Sequence, residues 1–186
     1  MIRLLPTLAV AACAAAPVPD AQVFLDPNTG VTLTIAHEPI VFARERKDVA
    51  ANARDYLTAT AVSENRAGSI NTVLVVYRWS TIDSRVGGEI ETDLTKLVVV
   101  ADGRDIRFPA MSEVLDSFRT ETRFGAPPVS QYSTGAFAID WATLNYMAGS
   151  EHLAAFFDGD KATRPYGLWQ DGRQALREFL SEVPEK

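Results

Sequence analysis

His37 and His152 are the only histidines in this 186-residue chain, and Cys13 is its only cysteine. Histidine is the side chain best matched to proton transfer near neutral pH, and with cysteine and carboxylates it makes most zinc sites. Neither histidine has a ligand partner at metal-site spacing. His37-Glu38 precedes a strand and His152 follows a turn, so both read as surface positions, and no metal or cofactor is expected. A catalytic triad still requires a histidine, a serine and an acid to meet in space, and no Gly-x-Ser-x-Gly elbow marks where that happens.

The remaining chemistry-bearing groups are ambiguous. Asp158-Gly159-Asp160-Lys161 begins like a calcium loop, but it lacks the closing glutamate and places a cation where an anion is needed. Glu89, Glu91 and Asp93 fit a pair of acid–base carboxylates or, more simply, an exposed acidic strand. Gly87-Gly88 has no following Gly-Lys-Ser/Thr, so it is no phosphate loop. The densest charge run is Arg44-Glu45-Arg46-Lys47-Asp48. Its cations Arg44, Arg46 and Lys47 form a candidate contact patch for an acidic partner; the competing reading is a solvated loop whose mixed signs cancel.

Cys13 has a different setting. Arg3 supplies a positive start, Leu4–Val10 an apolar stretch, and Ala11-Ala12-Cys13-Ala14 the small residues that a signal peptidase requires. The stretch is far shorter than the ~20 residues that a membrane-spanning helix needs. Val10-Ala11-Ala12-Cys13 resembles the lipobox of bacterial lipoproteins. The resemblance covers only the leader. It implies cleavage before Cys13, acylation of its thiol and new amine, and a membrane-anchored chain. Ala14 at the next position resembles the pattern of lipoproteins sorted to the outer membrane. Secretion with cleavage at an Ala-x-Ala site, or an uncleaved apolar start, are the alternatives.

With residues 1–12 removed, Arg3 is lost and 17 basic residues face 24 acidic ones, a formal charge of −7. That balance disfavours nucleic acid and anionic headgroups as partners. With Cys13 consumed by acylation, no disulfide is possible within the mature domain, and its stability rests on the core. Residues 13–22 read as a lipidated cysteine and a small-residue tether that reaches about 30 Å when extended. Residues 23–186 are enough for one globular domain.

The elements that position these groups are mostly strands. Gln22–Asp26 and Val31–Ala36 flank the turn cluster Asp26-Pro27-Asn28-Thr29-Gly30, and Ile40–Arg44 follows. Arg54–Glu64 and Ile70–Trp79 are separated by Asn65-Arg66-Ala67-Gly68. The second of these is apolar on both faces, as a covered central strand is. Thr95–Ala101 and Arg104–Phe108 flank Asp102-Gly103, the dipeptide of a type I′ hairpin. Met111–Arg123 fits a helix weakly. Gln131–Ile139, Glu151–Phe157 and Tyr166–Trp169 read as strands; Asp140 is placed to cap a helix over Trp141–Ala148, and Asp171 to cap the last helix. That helix carries Ala175, Leu176, Phe179, Leu180 and Val183 as one stripe. Trp79 and Trp141 are the expected interior anchors, and Tyr56 and Tyr132 the more exposed aromatics.

About nine strands, with two or three short helices in the C-terminal third, predict a mainly β fold: an antiparallel sandwich, immunoglobulin-like or related, or else an α+β domain. Two functions fit. One is a non-catalytic binding or assembly module, tethered to the outer membrane and facing the periplasm, with a possible envelope-protein partner. It predicts a shallow face or an open sheet edge. The other is an exported hydrolase. It predicts a deep cleft with His37 or His152 beside a serine or carboxylate.

Overall fold

The computed structural model describes residues 21–82, 94–111, 125–158 and 164–185. Cys13, the Glu89/Glu91/Asp93 group, Gly87-Gly88, Gly159-Asp160-Lys161 and nearly all of the Met111–Arg123 segment lie outside the described residues.

The fold is mainly β. The strands are β1 (Ala21–Asp26), β2 (Val31–Ala36), β3 (Ile40–Glu45), β4 (Arg54–Arg66), β5 (Ser69–Ser80), β6 (Lys96–Ala101), β7 (Arg104–Pro109), β8 (Tyr132–Ala138), β9 (Leu153–Phe157) and β10 (Tyr166–Gln170). Among the described residues, two helices, α1 (Trp141–Gly149) and α2 (Arg173–Glu182), fall in the C-terminal third. Ala21 and Gln22, expected at the end of the tether, already belong to β1.

Positive backbone angles set two of the hairpins. Asp102 and Gly103 have φ of 47° and 80°, and Ala67 and Gly68 have 50° and 89°. Both turns therefore twist as type I′, in the sense of the strands they join. Asp102 is held further, because its carboxylate accepts the backbone N–H groups of His152 (2.8 Å) and Glu151 (3.2 Å). That use explains why β9 starts at Leu153 rather than at Glu151.

The ten strands among the described residues belong to one antiparallel sheet that forks at β4. One edge of β4 pairs along its whole length with β5, which continues to β8. The other edge is shared: Ala59 to Arg54 pair with β3, while Val62 to Asn65 pair with β2. The β3 branch runs through β10, β9 and β6 to β7. There it curls back until Ala110, just beyond β7, bridges Phe137 in β8. The β2 branch ends at β1.

The curl encloses the main core. Phe42, Leu57 and Leu74 meet Leu97, Val99 and Phe157, and α1 and α2 add Leu144, Met147, Leu176 and Phe179. Phe179 is fully buried, and removing such a side chain from water contributes about 1.5–3 kcal/mol. The expected stripe on α2 is buried along its whole length. On the opposite face of the sheet, Val31, Leu33 and Ile35 join Val62, Val73 and Val75 in a second cluster. The β5 strand is thus covered on both faces, as its sequence predicts.

Two local expectations are corrected. Asp140 caps α1, accepting the N–H of Thr143 at 2.7 Å, but the N-cap of α2 is Gly172, not Asp171. Gly172 is required there because a Cβ would lie 2.4 Å from the Pro39 carbonyl oxygen. Asp171 instead accepts the Arg173 N–H at 3.1 Å. Trp79 and Trp141 are only half-buried; Tyr166, Phe42, Phe137 and Phe179 are the large side chains sealed in the interior.

Candidate functional site

The charge run folds into a shared ion-pair network. Arg44 sits on the inner face of β3 directly opposite Asp55 of β4, and both are buried. The Arg44 guanidinium lies 3.2 Å from the Asp55 carboxylate and 4.3 Å above the Tyr166 ring. Arg46 donates to the same carboxylate at 3.3 Å and to Asp48 at 2.8 Å. The Asp48 hydrogen bond lowers that carboxyl's pKa and raises that of Arg46. Lys47 is exposed and 3.0 Å from Glu45, whose pKa it lowers. Of the three cations expected to form a contact patch, only Arg46 and Lys47 therefore face solvent; Arg44 belongs to the interior.

The histidines are separate from each other and from the cavity. His37 Nδ1 lies 3.4 Å from Glu178, and His152 Nδ1 lies 3.8 Å from Asp102 with its side chain 87 % exposed. A cavity of about 230 Å³ opens where β5 begins, between the start of α1 and the end of α2. Ile70, Thr72, Ile139, Trp141 and Val183 line it, with Asp140 and Glu185 at its rim, and neither histidine borders it. The indole N–H of Trp141 is buried without a hydrogen bond. Among the described residues, no three His, Cys, Asp or Glu converge as a metal-binding group. No helix among them is long and apolar enough to cross a membrane.

Aromatic side chains gather on the outer face of β4, β5 and β10. Tyr56 stacks on Trp79 at 4.3 Å, Trp169 meets Tyr56 edge-on at 6.2 Å, and the Arg54 guanidinium covers the Trp169 ring at 4.7 Å. Tyr56 and Tyr132 are half-buried rather than open. Trp79 donates its indole N–H to the Thr58 hydroxyl at 3.0 Å. The cluster is largely satisfied internally, with Trp169 its most open member at 57 %.

The most accessible apolar surface is at the end of the other branch. Val23, Phe24 and Leu25 of β1 are 62 %, 43 % and 66 % exposed. Among the described residues, β1 pairs only with β2, so one of its edges offers unused backbone donors and acceptors. Register places Val23 and Leu25 opposite Thr34 and Thr32 on one face, and Phe24 opposite buried Leu33 on the other. Asp26 ends the strand: its carboxylate accepts the Thr29 hydroxyl at 2.6 Å and the Asn28 N–H at 2.9 Å, and both bonds lower its pKa.

Proteins usually guard such edges with charge, proline or bulges. The β7 strand does so, since Arg104, Asp105, Arg107 and Pro109 are exposed along its six residues. The β1 strand has no proline, carries its one charge, Asp26, at its end, and pairs with β2 without a bulge. Sequence reasoning finds the strand but not its exposure; the available signal is three consecutive apolar residues in a short element without alternation. Comparison with protein-family models, curated proteins and solved structures finds no match for this chain.

Proposed function

We propose that this chain is a lipid-anchored cell-envelope protein, a non-catalytic assembly module that faces the periplasm from the outer membrane. The observation that carries the assembly reading is the β1 edge, where Val23, Phe24 and Leu25 stand exposed beside backbone that is unpaired among the described residues. Strand addition at an open edge takes its affinity from main-chain hydrogen bonds and its selectivity from alternate side chains. The anchor rests on the lipobox-like Val10-Ala11-Ala12-Cys13, which ends seven residues before β1 begins. The partner would therefore meet the domain beside its attachment point.

The finer architecture belongs to the same proposal. We read the curled sheet as a flattened, sandwich-like layer pair. The supporting observation is one core shared by Leu57 and Val76 from one half and Val99 and Phe157 from the other.

Two measurements test the function. Metabolic labelling with a radioactive fatty acid is expected to mark the wild type and not Cys13→Ser; equal labelling refutes the anchor. A photo-crosslinking residue at Leu25, in intact envelopes, is expected to give discrete adducts that are absent when it replaces Arg107 on the guarded β7 edge. No adducts, or the same adducts from both positions, refute the assembly reading.

A further inference from the structure

Resting on that assembly reading, we infer that the occupant of the β1 edge is a second copy of this chain, paired antiparallel through the same strand. The inference comes from self-complementarity. When a sheet continues across a two-fold axis, the axis is perpendicular to the sheet, so each face stays on its own side. Opposed residues then have the same parity, and the axis must pass through a residue. With the axis at Phe24, Phe24 faces its own copy, Val23 faces Leu25, and Gln22 faces Asp26. Every apolar residue meets an apolar one and every polar residue a polar one. An axis at Val23 instead sets Phe24 against Gln22, and an axis at Leu25 sets Phe24 against Asp26. Only one register is free of mismatch.

One face of the resulting ribbon is apolar, and the other is apolar at its centre, with a Gln22–Asp26 pair on either side. On one, Val23 and Leu25 from each copy form a group of four at positions now 62 % and 66 % exposed. On the other, the two Phe24 rings extend the Leu33-containing cluster across the interface. No like charges are opposed, because Asp26 is the only charged residue in the strand. The interface is small against the ~1,600 Å² of a standard stable complex, so pairing in solution is weak and confinement on a membrane strengthens it. Anchoring is compatible with the geometry: the two Ala21 ends lie about 20 Å apart along the ribbon, at ~3.4 Å per residue. Extended, the residues before them span a similar distance each.

The test uses the full mature chain carrying Cys13→Ser, with sedimentation over a wide concentration range. A concentration-dependent dimer is expected. Phe24→Lys and Phe24→Glu each place like charges directly opposite and abolish it, whereas an equimolar mixture of the two restores it. Circular dichroism checks that both variants keep the parent spectrum, and Leu25→Lys, at a more exposed position, serves if they do not. Phe24→Cys in the Cys13→Ser background is expected to form an intermolecular disulfide on mild oxidation, far faster than Arg107→Cys, whether in solution or bound to vesicles. A dimer indifferent to charge at Phe24, or no Phe24→Cys crosslink above the Arg107→Cys rate, overturns self-pairing. If Leu25 still gives adducts to another protein in envelopes, the assembly reading survives that result; if it is silent there too, both fall.

Discussion

Removing the Asp55 carboxylate is expected to be among the most costly single changes in the fold. Asp55 is 7 % exposed and serves two guanidiniums, Arg44 at 3.2 Å and Arg46 at 3.3 Å. Arg46 can turn to Asp48 and to solvent, since it already holds Asp48 at 2.8 Å. Arg44 is held in place, because it is buried and packed on the Tyr166 ring. Breaking a buried pair from one side costs about 3–5 kcal/mol, most of it the penalty of a charge left behind. For a chain of this size each kcal/mol shifts Tm by about 2–4 °C, so Asp55→Ala is expected to lower it by roughly 6–20 °C.

The opposite truncation behaves differently. Arg44→Met leaves Asp55 paired with Arg46 and fills much of the same space, so its loss is about 1–2 kcal/mol, chiefly the contact with Tyr166. Arg44→Met with Asp55→Leu removes both buried charges and is expected to be less destabilised than Asp55→Ala alone. The assay is urea unfolding of the mature chain followed by tryptophan fluorescence, with m-values compared to confirm a two-state reading. A loss below about 1 kcal/mol for Asp55→Ala, or a double variant weaker than Asp55→Ala, refutes this account of Arg44 as interior structure. It would also return Arg44 to the contact patch with Arg46 and Lys47.

Two glycines give opposite predictions under one substitution. Gly172→Ala drives a Cβ into the Pro39 and Ile40 backbone, with contacts of 2.4 to 2.8 Å, and is expected to cost about 1–3 kcal/mol in urea unfolding. Gly149→Ala meets nothing within 4 Å in the last turn of α1 and is expected to stabilise by about 0.4–1 kcal/mol. Asp102→Asn tests the acid limit of the β6–β7 hairpin. Its carboxyl pKa is lowered in the fold, first by the His152 N–H, so its contribution is present above the unfolded value and lost as pH falls through the folded one. Asparagine tolerates the positive φ, so the variant is expected to keep the hairpin yet lose part of the stability gain that the parent shows on the alkaline side of its lowered carboxyl titration, measured by unfolding across acid pH.

Local physics made most elements legible and left their assembly hidden. The Asp102-Gly103 turn follows from two residues that tolerate positive φ, and the Asp140 cap from one side chain and a nearby N–H. The α2 stripe follows from period alone. Strand order is different, because nothing in β4 signals that one of its edges is split between β2 and β3. The Trp79 and Trp141 expectation failed because ring size says little about which side of a sheet stays open. Arg44 was unreadable for the same reason: within a run of charges, one residue in alternation faces inward, and only the cross-strand position of Asp55 identifies it.

The fork at β4 also explains why, among the described residues, the sheet has one guarded and one unguarded end. The β3 branch must curl closed over the main core, and its last strand, β7, carries Arg104, Asp105, Arg107 and Pro109 where it passes the opposing edge of β8. Charge there prevents pairing from continuing outward. The β2 branch buries Val31, Leu33 and Ile35 on one face and Ala36 on the other, yet its last strand is the more apolar of the two. Burial within the domain does not account for Val23 and Leu25, since each is more than half exposed. An isolated chain gains nothing from such residues and risks aggregation. The proposed self-pairing gives them a contact outside the domain, in the register that matches apolar to apolar and polar to polar.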